Sequence, residues 1–278
     1  MILVIGGTGT TGRLVAEQLT GQGQQVRIAS RRPAGGAVRF DWYDPTSHAD
    51  VLAGVHAVYL IAPTGAAEPA PVMLPFLHRA RQAGVRRAVL LSSSAVPAGE
   101  HGLGLVHTRL GTLFPEWAVL RPSWFMENFV GDHLHAVTAR DAGEIVSATG
   151  TGRVGFVDPA DIAAVAVRAL TDPTSHDTDH LITGPQALSY ADVAAILTGV
   201  LGHPVRHRAV TEDELAERHT VTGMPSDYAR FLASLDTAIA GGAEDRTTAT
   251  VAEVTGHPPR TFHSFCAHRF GPARPAPA

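Results

Sequence analysis

The sequence predicts an α/β fold: a doubly wound parallel sheet with a smaller C-terminal lobe. Two observations carry this. In the first half, short β-rich runs alternate with helical patterns, the order that lays helices on both faces of a parallel sheet. Some of these runs are apolar throughout. Ala57-Val58-Tyr59-Leu60-Ile61 is the clearest, and such runs are expected where both faces of a strand are covered. Beyond Arg121-Pro122 the rhythm changes to short strands around glycine turns.

In order, strands are expected at 2–5, 25–29, 38–40, 57–61, 88–92 and 118–120. Between the first two, 12–21 reads as a helix, with Leu14, Val15 and Leu19 on one face and Gly21 at its end. A short helix follows at 124–130, then strands at 144–147 and 154–157. Asp158-Pro159-Ala160-Asp161 begins a helix through Leu170. Asp158 suits the N-cap, Pro159 the first helical position and Asp161 the first turn. A strand at 180–183 and a helix at 190–201 capped by Ser189 come next, then a strand at 205–210 and a helix near 212–218.

Composition sets bounds. The 278 residues can bury a large core in one domain, or in two sharing a cleft. A hydrophobic share of 45% and a charged share of 17% describe an ordinary globular chain. Net charge is −4 and the arginines are scattered, which argues against nucleic-acid and membrane-surface partners. One cysteine, Cys266, cannot form an internal disulfide and suits a reducing compartment. The chain runs straight into an apolar strand with no cationic stretch before it, so no signal peptide is expected. The apolar stretch 51–63 is shorter than the about 20 residues a bilayer needs. A cytoplasmic protein is expected, and its state, monomer or homo-oligomer, is left open.

Gly6-Gly7-Thr8-Gly9-Thr10-Thr11-Gly12 lies between the first strand and the first helix. In that context Gly7-x-Gly9-x-x-Gly12 reads as a dinucleotide-binding turn of a Rossmann-like sheet, or else as a purely structural glycine turn. One glycine permits the turn, one lets backbone approach the pyrophosphate, and one allows close packing of helix on strand. Amides at the helix N-terminus then face the anion. A phosphate-binding loop of nucleotide hydrolases is the rival reading, but Arg13 and Leu14 stand where its Lys and Ser/Thr would be. The second strand runs into Ser30-Arg31-Arg32, and no acid occurs from 26 to 38. An NAD-preferring site places an acid there. A hydroxyl followed by arginines suits a 2′-phosphate, hence NADPH/NADP+, or else the arginines are simply solvated. Asp41 suits the adenine amino group, or equally a turn.

These motifs, with Ala62-Pro63 after the fourth strand and Leu120-Arg121-Pro122-Ser123-Trp124-Phe125-Met126-Glu127-Asn128-Phe129, resemble the NmrA-like atypical short-chain dehydrogenase/reductases. The resemblance extends to 156–163 and 255–262. With Val106-His107, it is nearest to reductases of the ergot-alkaloid type. It implies a Rossmann-like NADP-binding domain, 1–122 plus 156–186, and a substrate lobe, 123–155 plus 187–270, with a frayed tail at 271–278. The family includes NADPH-dependent imine, quinone and alkene reductases and also NADP sensors without enzymatic activity. Fold alone does not choose among them.

All 22 Lys+Arg positions are arginine. A Tyr-x-x-x-Lys catalytic pair therefore cannot exist, and none of the four tyrosines follows the fifth strand. Ser92, which ends that strand, stands where the ancestral catalytic serine would, to polarise a carbonyl or touch the nicotinamide; or it merely ends the strand. His107 falls about where the Tyr-x-x-x-Lys segment would, as ribose ligand or proton donor, though it is one of 15 histidines. Ser123, Trp124, Phe125 and Asn128 are the candidate substrate contacts, at a place where ligands of open α/β folds bind, or interlobe core. No metal is expected. His176/His180 and His203/His207 are four apart, but neither pair is on a predicted helix or has a third ligand. The favoured reaction is NADPH-dependent reduction of a small organic molecule, an iminium or imine before a quinone or activated C=C or C=O. The rivals are a redox sensor that binds NADP, and a non-redox cyclase or isomerase.

Overall fold

The computed structural model describes residues 1–271. The expected frayed tail, from 272 on, lies outside the described residues. The chain forms two compact units.

Unit 1 comprises Met1–Pro122, Pro159–Ile182 and Thr250–His257. Its strands are β1 (Ile2–Ile5), β2 (Val26–Ser30), β3 (Val38–Arg39), β4 (Ala57–Ile61), β5 (Arg87–Leu91) and β6 (Glu116–Pro122). The chain returns to this sheet with a further strand, Thr178–Ile182. All seven pair in parallel, in the order β3-β2-β1-β4-β5-β6 followed by the returning strand. The chain leaves β1 toward β3, then returns to place β4 on the other side of β1. That reversal is the switch point at which doubly wound sheets bind ligands, outside the carboxyl ends of the strands.

The helices of this unit are α1 (Thr10–Gly21), a short α2 (His48–Val51), α3 (Ala70–Gln82) and α4 (Gly102–Leu113). Alternation along the strands sets the layers. Leu3, Ile5, Val58, Leu60, Leu90 and Val119 pack with Met73 and Phe76 of α3 and Val106 and Leu110 of α4. Helix Pro159–Thr171 lies against α1 and crosses β4, β5 and β6. It starts at the proline, as expected. Arg87 ties this assembly together at the amino ends of the strands. Its guanidinium meets Glu116 at 2.7 Å and donates to the Leu170 and Asp172 carbonyls.

Unit 2 comprises Ser123–Asp158, Thr183–Ala249 and Pro258 onward. Its elements are α5 (Leu134–Ala142), β7 (Glu144–Ser147), β8 (Arg153–Val154), β10 (Leu188–Ser189), α7 (Tyr190–Leu201), β11 (Arg206–Ala209), α8 (Glu212–Val221), α9 (Ser226–Ala240) and α11 (Phe262–Phe270). The numbers α6, β9 and α10 belong to unit 1: Pro159–Thr171, Thr178–Ile182 and Thr250–Thr255. The core of unit 2 is aromatic. Phe129 meets Phe156, Phe262 and Tyr190 edge-on, at 5.3, 5.3 and 5.9 Å. Ser189 caps α7 with a reciprocal bond from its own amide to Asp192.

Several expected boundaries move. The helix expected at 124–130 is a single 3-10 turn, Met126–Phe129. The reason is pairing: Phe125 bridges Val157, and Trp124 and Met126 exchange backbone bonds with it. The strand expected at 154–157 is correspondingly split into β8 and that bridge. The segment Thr250–Thr255, expected in the second lobe, packs on α6 in unit 1.

His135 generates a pH prediction. Burial above all, and then His133, His219 and His207, pull its pKa from 6.5 to about 3. The folded value is depressed, so its contribution to stability is complete above pH 6.5. It is lost as pH falls toward 3, at about 1.4 kcal/mol per pH unit. Urea unfolding at pH 7 and pH 5 should show a drop in stability that is about 2 kcal/mol smaller in His135→Leu than in wild type. Equal drops in the two proteins would sink this assignment.

Candidate active site

The glycine turn follows β1. Gly6 has φ +70°, a conformation open to glycine at little cost. The amides of Gly6 and Gly7 donate to the Ala29 carbonyl, and that of Gly9 donates to Gly6. The three later glycines do different work. A Cβ on Gly12 would stand 2.3 Å from the Gly6 carbonyl oxygen, and one on Gly7 would stand 2.7 Å from Ile28. Both positions are packing contacts. A Cβ on Gly9 would meet only the Gly6 carbonyl, at 3.3 Å, so its outer face is open. Gly9 precedes α1 without giving its first turn a side-chain cap. The amides there have no helical acceptor and suit an anion. Thr8 and Thr10 are exposed beside the turn and Thr11 is buried. Arg13 is paired with Glu17 at 2.8 Å, which occupies the side chain that a hydrolase loop would use on phosphate.

Across the switch point, Ile61 at the end of β4 is 3.1 Å from the Cβ position of Gly6. Ala62 and Pro63 follow, half-buried. At the end of β2, the Ser30 hydroxyl is buried with no hydrogen-bond partner. Arg31 and Arg32 are exposed, and neither has a carboxylate partner among the described residues. An orphaned hydroxyl, two unengaged guanidiniums and an uncapped helix start all fit a dinucleotide phosphate ligand. Asp41 closes a turn: its Oδ1 accepts from the Tyr43 amide. The neighbouring Trp42 donates to the Ile61 carbonyl at 3.0 Å.

At the ends of β5 and β6, Ser92 and Ser94 are buried and both hydroxyls lack partners. His107 on α4 is buried, and its Nδ1 has no partner either. Its ring neighbour is Trp117, and its electrostatic neighbours are Asp179 and Arg121. Burial lowers the His107 pKa, Asp179 opposes that, and Arg121 adds to it. Arg121 donates to Asp179 at 2.8 Å and to the Ser94 carbonyl at 3.1 Å. Sequence reasoning gave this arginine no role. The only signal was its place at the end of a strand. Tyr59 is wholly buried on the α1 face, where burial raises its pKa and nearby Thr11 opposes the rise.

In unit 2, Ser123 is buried, and Trp124, Phe125 and Asn128 are half-buried. The Ser123 hydroxyl faces Glu244 at 3.4 Å, a carboxylate that sequence reasoning missed. The two histidine pairs are engaged with protein groups. His176 bonds His180 at 2.8 Å and Asp172 at 3.1 Å, and His207 bonds Ser147 at 2.8 Å. Among the described residues, no three His, Cys, Asp or Glu side chains gather as a metal site. Likewise, no helix among them is long and apolar enough to cross a membrane.

The family described as NAD(P)H-binding matches residues 6–111. The chain is 44% identical to the uncharacterized oxidoreductase YesF of Bacillus subtilis, over 96% of this chain and 94% of that one. It is 40% identical to the agroclavine dehydrogenase of Claviceps fusiformis, over 95% of each. Among solved structures, it is similar to the quinone oxidoreductase QOR2 of Escherichia coli complexed with NADPH. That likeness has a TM-score of 0.82 and 25% identity, and covers 98% of this chain and 100% of that one.

The glycines should separate under substitution. Gly9→Val should fold normally yet lose nucleotide binding, since its side chain would fill the open face. Gly12→Ala should lose stability by about 2–4 kcal/mol, since backbone must move to admit it. Calorimetric titration with NADPH and urea melts check both. Normal nucleotide binding by Gly9→Val would leave the turn a purely structural feature.

Proposed function

This chain belongs to the NmrA-like atypical short-chain dehydrogenase/reductases and is an NAD(P)H-dependent oxidoreductase, and on that premise we propose that it uses NADPH to reduce a small cationic C=N acceptor. The observation that carries the cofactor choice is the end of β2. Ser30 leaves a buried hydroxyl without a partner, and Arg31 and Arg32 follow where an NAD site has an acid. In this reading Ser30, Arg31 and Arg32 hold the 2′-phosphate. The turn from Gly6 to Gly12 holds the pyrophosphate, Asp41 lies toward adenine, and Ala62 and Pro63 line the path to the nicotinamide. Ser123, Trp124, Phe125 and Asn128 contact the substrate.

Bound NADPH supplies the hydride. The acceptor class follows from what the chain lacks. Without lysine it has no Tyr-x-x-x-Lys donor for the proton that a carbonyl oxygen requires. An iminium carbon takes hydride with no proton at that carbon, so positioning and charge carry the rate. Quinones or activated C=C and C=O acceptors come next. The likeness to agroclavine dehydrogenase supports a small organic acceptor. Burial lowers the His107 pKa, which favours neutral imidazole at pH 7. His107 then serves as a hydrogen-bonding group at the ribose rather than as an acid, and Ser92 orients the nicotinamide or the acceptor.

NADPH should bind more tightly than NADH. In Arg31→Ala and Arg32→Ala that advantage should shrink, by about 1–3 kcal/mol for each charge-assisted bond lost. Equal or tighter NADH binding in wild type would overturn the assignment of these residues. His107→Ala should weaken NADPH binding and leave single-turnover rates with an iminium nearly unchanged. If binding survives while turnover falls by about 10²–10⁴-fold, His107 is instead the proton donor. A protein that binds NADPH but oxidises it with none of these acceptors is a sensor.

A further inference from the structure

Unit 2 holds a buried carboxylate to which the proposed function gives no role. Glu244 lies in the turn after α9, and its side chain is 4% exposed. Carboxylates are almost never that buried unless paired, and Arg246 supplies the pair here. One oxygen accepts from Arg246 at 3.2 Å, and that arginine is itself 41% exposed. The other oxygen has the Ser123 hydroxyl at 3.4 Å, at the limit of a hydrogen bond. Two carboxylate oxygens offer about four acceptor sites. Here two are used, one of them weakly. The Arg246 partner is itself partly exposed and engages one oxygen only, which leaves room for a second positive group at the other.

The surroundings hold this group in place. A Cβ on Gly155 would stand 2.6 Å from the Arg246 carbonyl oxygen, so the chain after the turn packs directly on the backbone at Gly155. Two residues beyond Arg246, the Thr248 amide donates to the Thr183 hydroxyl at 2.8 Å. Ser123 opens the run that continues with Trp124 and Phe125. Both residues are half-buried, Trp124 packing in part against the core of unit 2, and their backbone is fixed against Val157. Ser123, the residue that meets Glu244, directly precedes these two rings, and an anion together with aromatic faces is the combination that recognises an organic cation, by Coulomb attraction and by cation–π contact.

We infer that Glu244 is the counter-ion of the substrate site, selecting a flat organic cation of the iminium class over a neutral molecule of the same shape. The inference rests on the reading of Ser123, Trp124 and Phe125 as substrate contacts. Arg246 is its built-in competitor: it neutralises the carboxylate when no cation is present and yields part of that contact to one that arrives. Ser123 orients the free oxygen.

The test uses the full-length protein loaded with NADP+ and two ligands of one size. One is N,N-dimethyl-tetrahydroisoquinolinium, a cation that cannot be reduced, and the other is neutral α-tetralone. Glu244→Gln keeps shape and hydrogen bonding and removes the charge. It should bind the cation about 10–100-fold more weakly, leaving tetralone and NADPH affinities unchanged. Arg246→Met should act in the opposite direction and tighten the cation. Equal weakening of both ligands would mean that Glu244 only braces the fold, and no change in either would mean that it faces no ligand; each overturns the inference. If Glu244→Gln does not fold, Arg246→Met decides: a gain in cation affinity supports the inference, and no gain overturns it. NADPH oxidation by wild type with N-methyl-3,4-dihydroisoquinolinium is read separately. Charge-dependent binding without that turnover would sink the proposed reaction and leave the cation site standing.

Discussion

The first unit depends on a contact made by an absent side chain. The Cα of Gly12 sits so close to the Gly6 carbonyl that a single added carbon would stand at 2.3 Å. That approach lets α1 start directly off β1, with its first amides pointing past the turn. Gly7 does the same against Ile28 on β2. The turn is therefore pinned to β1 and β2 before any ligand arrives, and only Gly9 keeps an open face. The reversal of strand order between β1 and β4 then places Ile61, Ala62 and Pro63 beside the same turn. Local packing and global topology point at one place, as expected of a preorganised site.

This part was legible in the sequence because its signals are local. β1 and β4 run as Ile2–Ile5 and Ala57–Ile61, the bounds expected from continuous apolar runs. The capped helix after Ser189 was equally plain, since Ser189 and Asp192 lie within one turn of each other. What was not legible depends on partners far away in the chain. Residues 124–130 have helical composition, yet a bridge to Val157 holds their first residues extended. Thr250–Thr255 belongs with α6, more than 75 residues earlier, and nothing in its own sequence says so. Glu244 looks like any turn glutamate until the fold brings Ser123 to it.

The absence of lysine reads differently once the side chains are placed. It removes the common proton donor, but it does not leave the carboxyl ends of the strands without positive charge. Arg121 reaches from β6 to Asp179 and to the Ser94 carbonyl, which ties the last strands together where the unpartnered serines lie. An arginine cannot shed its proton, so it cannot stand in for an acid or a base. It can fix geometry and set the local field. Burial pushes His107 toward the neutral form, Asp179 opposes this, and Arg121 adds to it. On the proposed function, these residues would contribute hydrogen bonding and orientation.

That limitation and the buried carboxylate of unit 2 support each other. A site poor in proton donors suits an acceptor already activated by its own positive charge. Such an acceptor has to be selected by charge, and a desolvated anion does this where water cannot screen it. A neutral ketone would gain little from Glu244 and would still lack its proton. A cation gains the attraction and needs no proton at the accepting carbon. On the proposed function, the buried anion and the missing lysine would serve the same end: a hydride acceptor that already carries its charge.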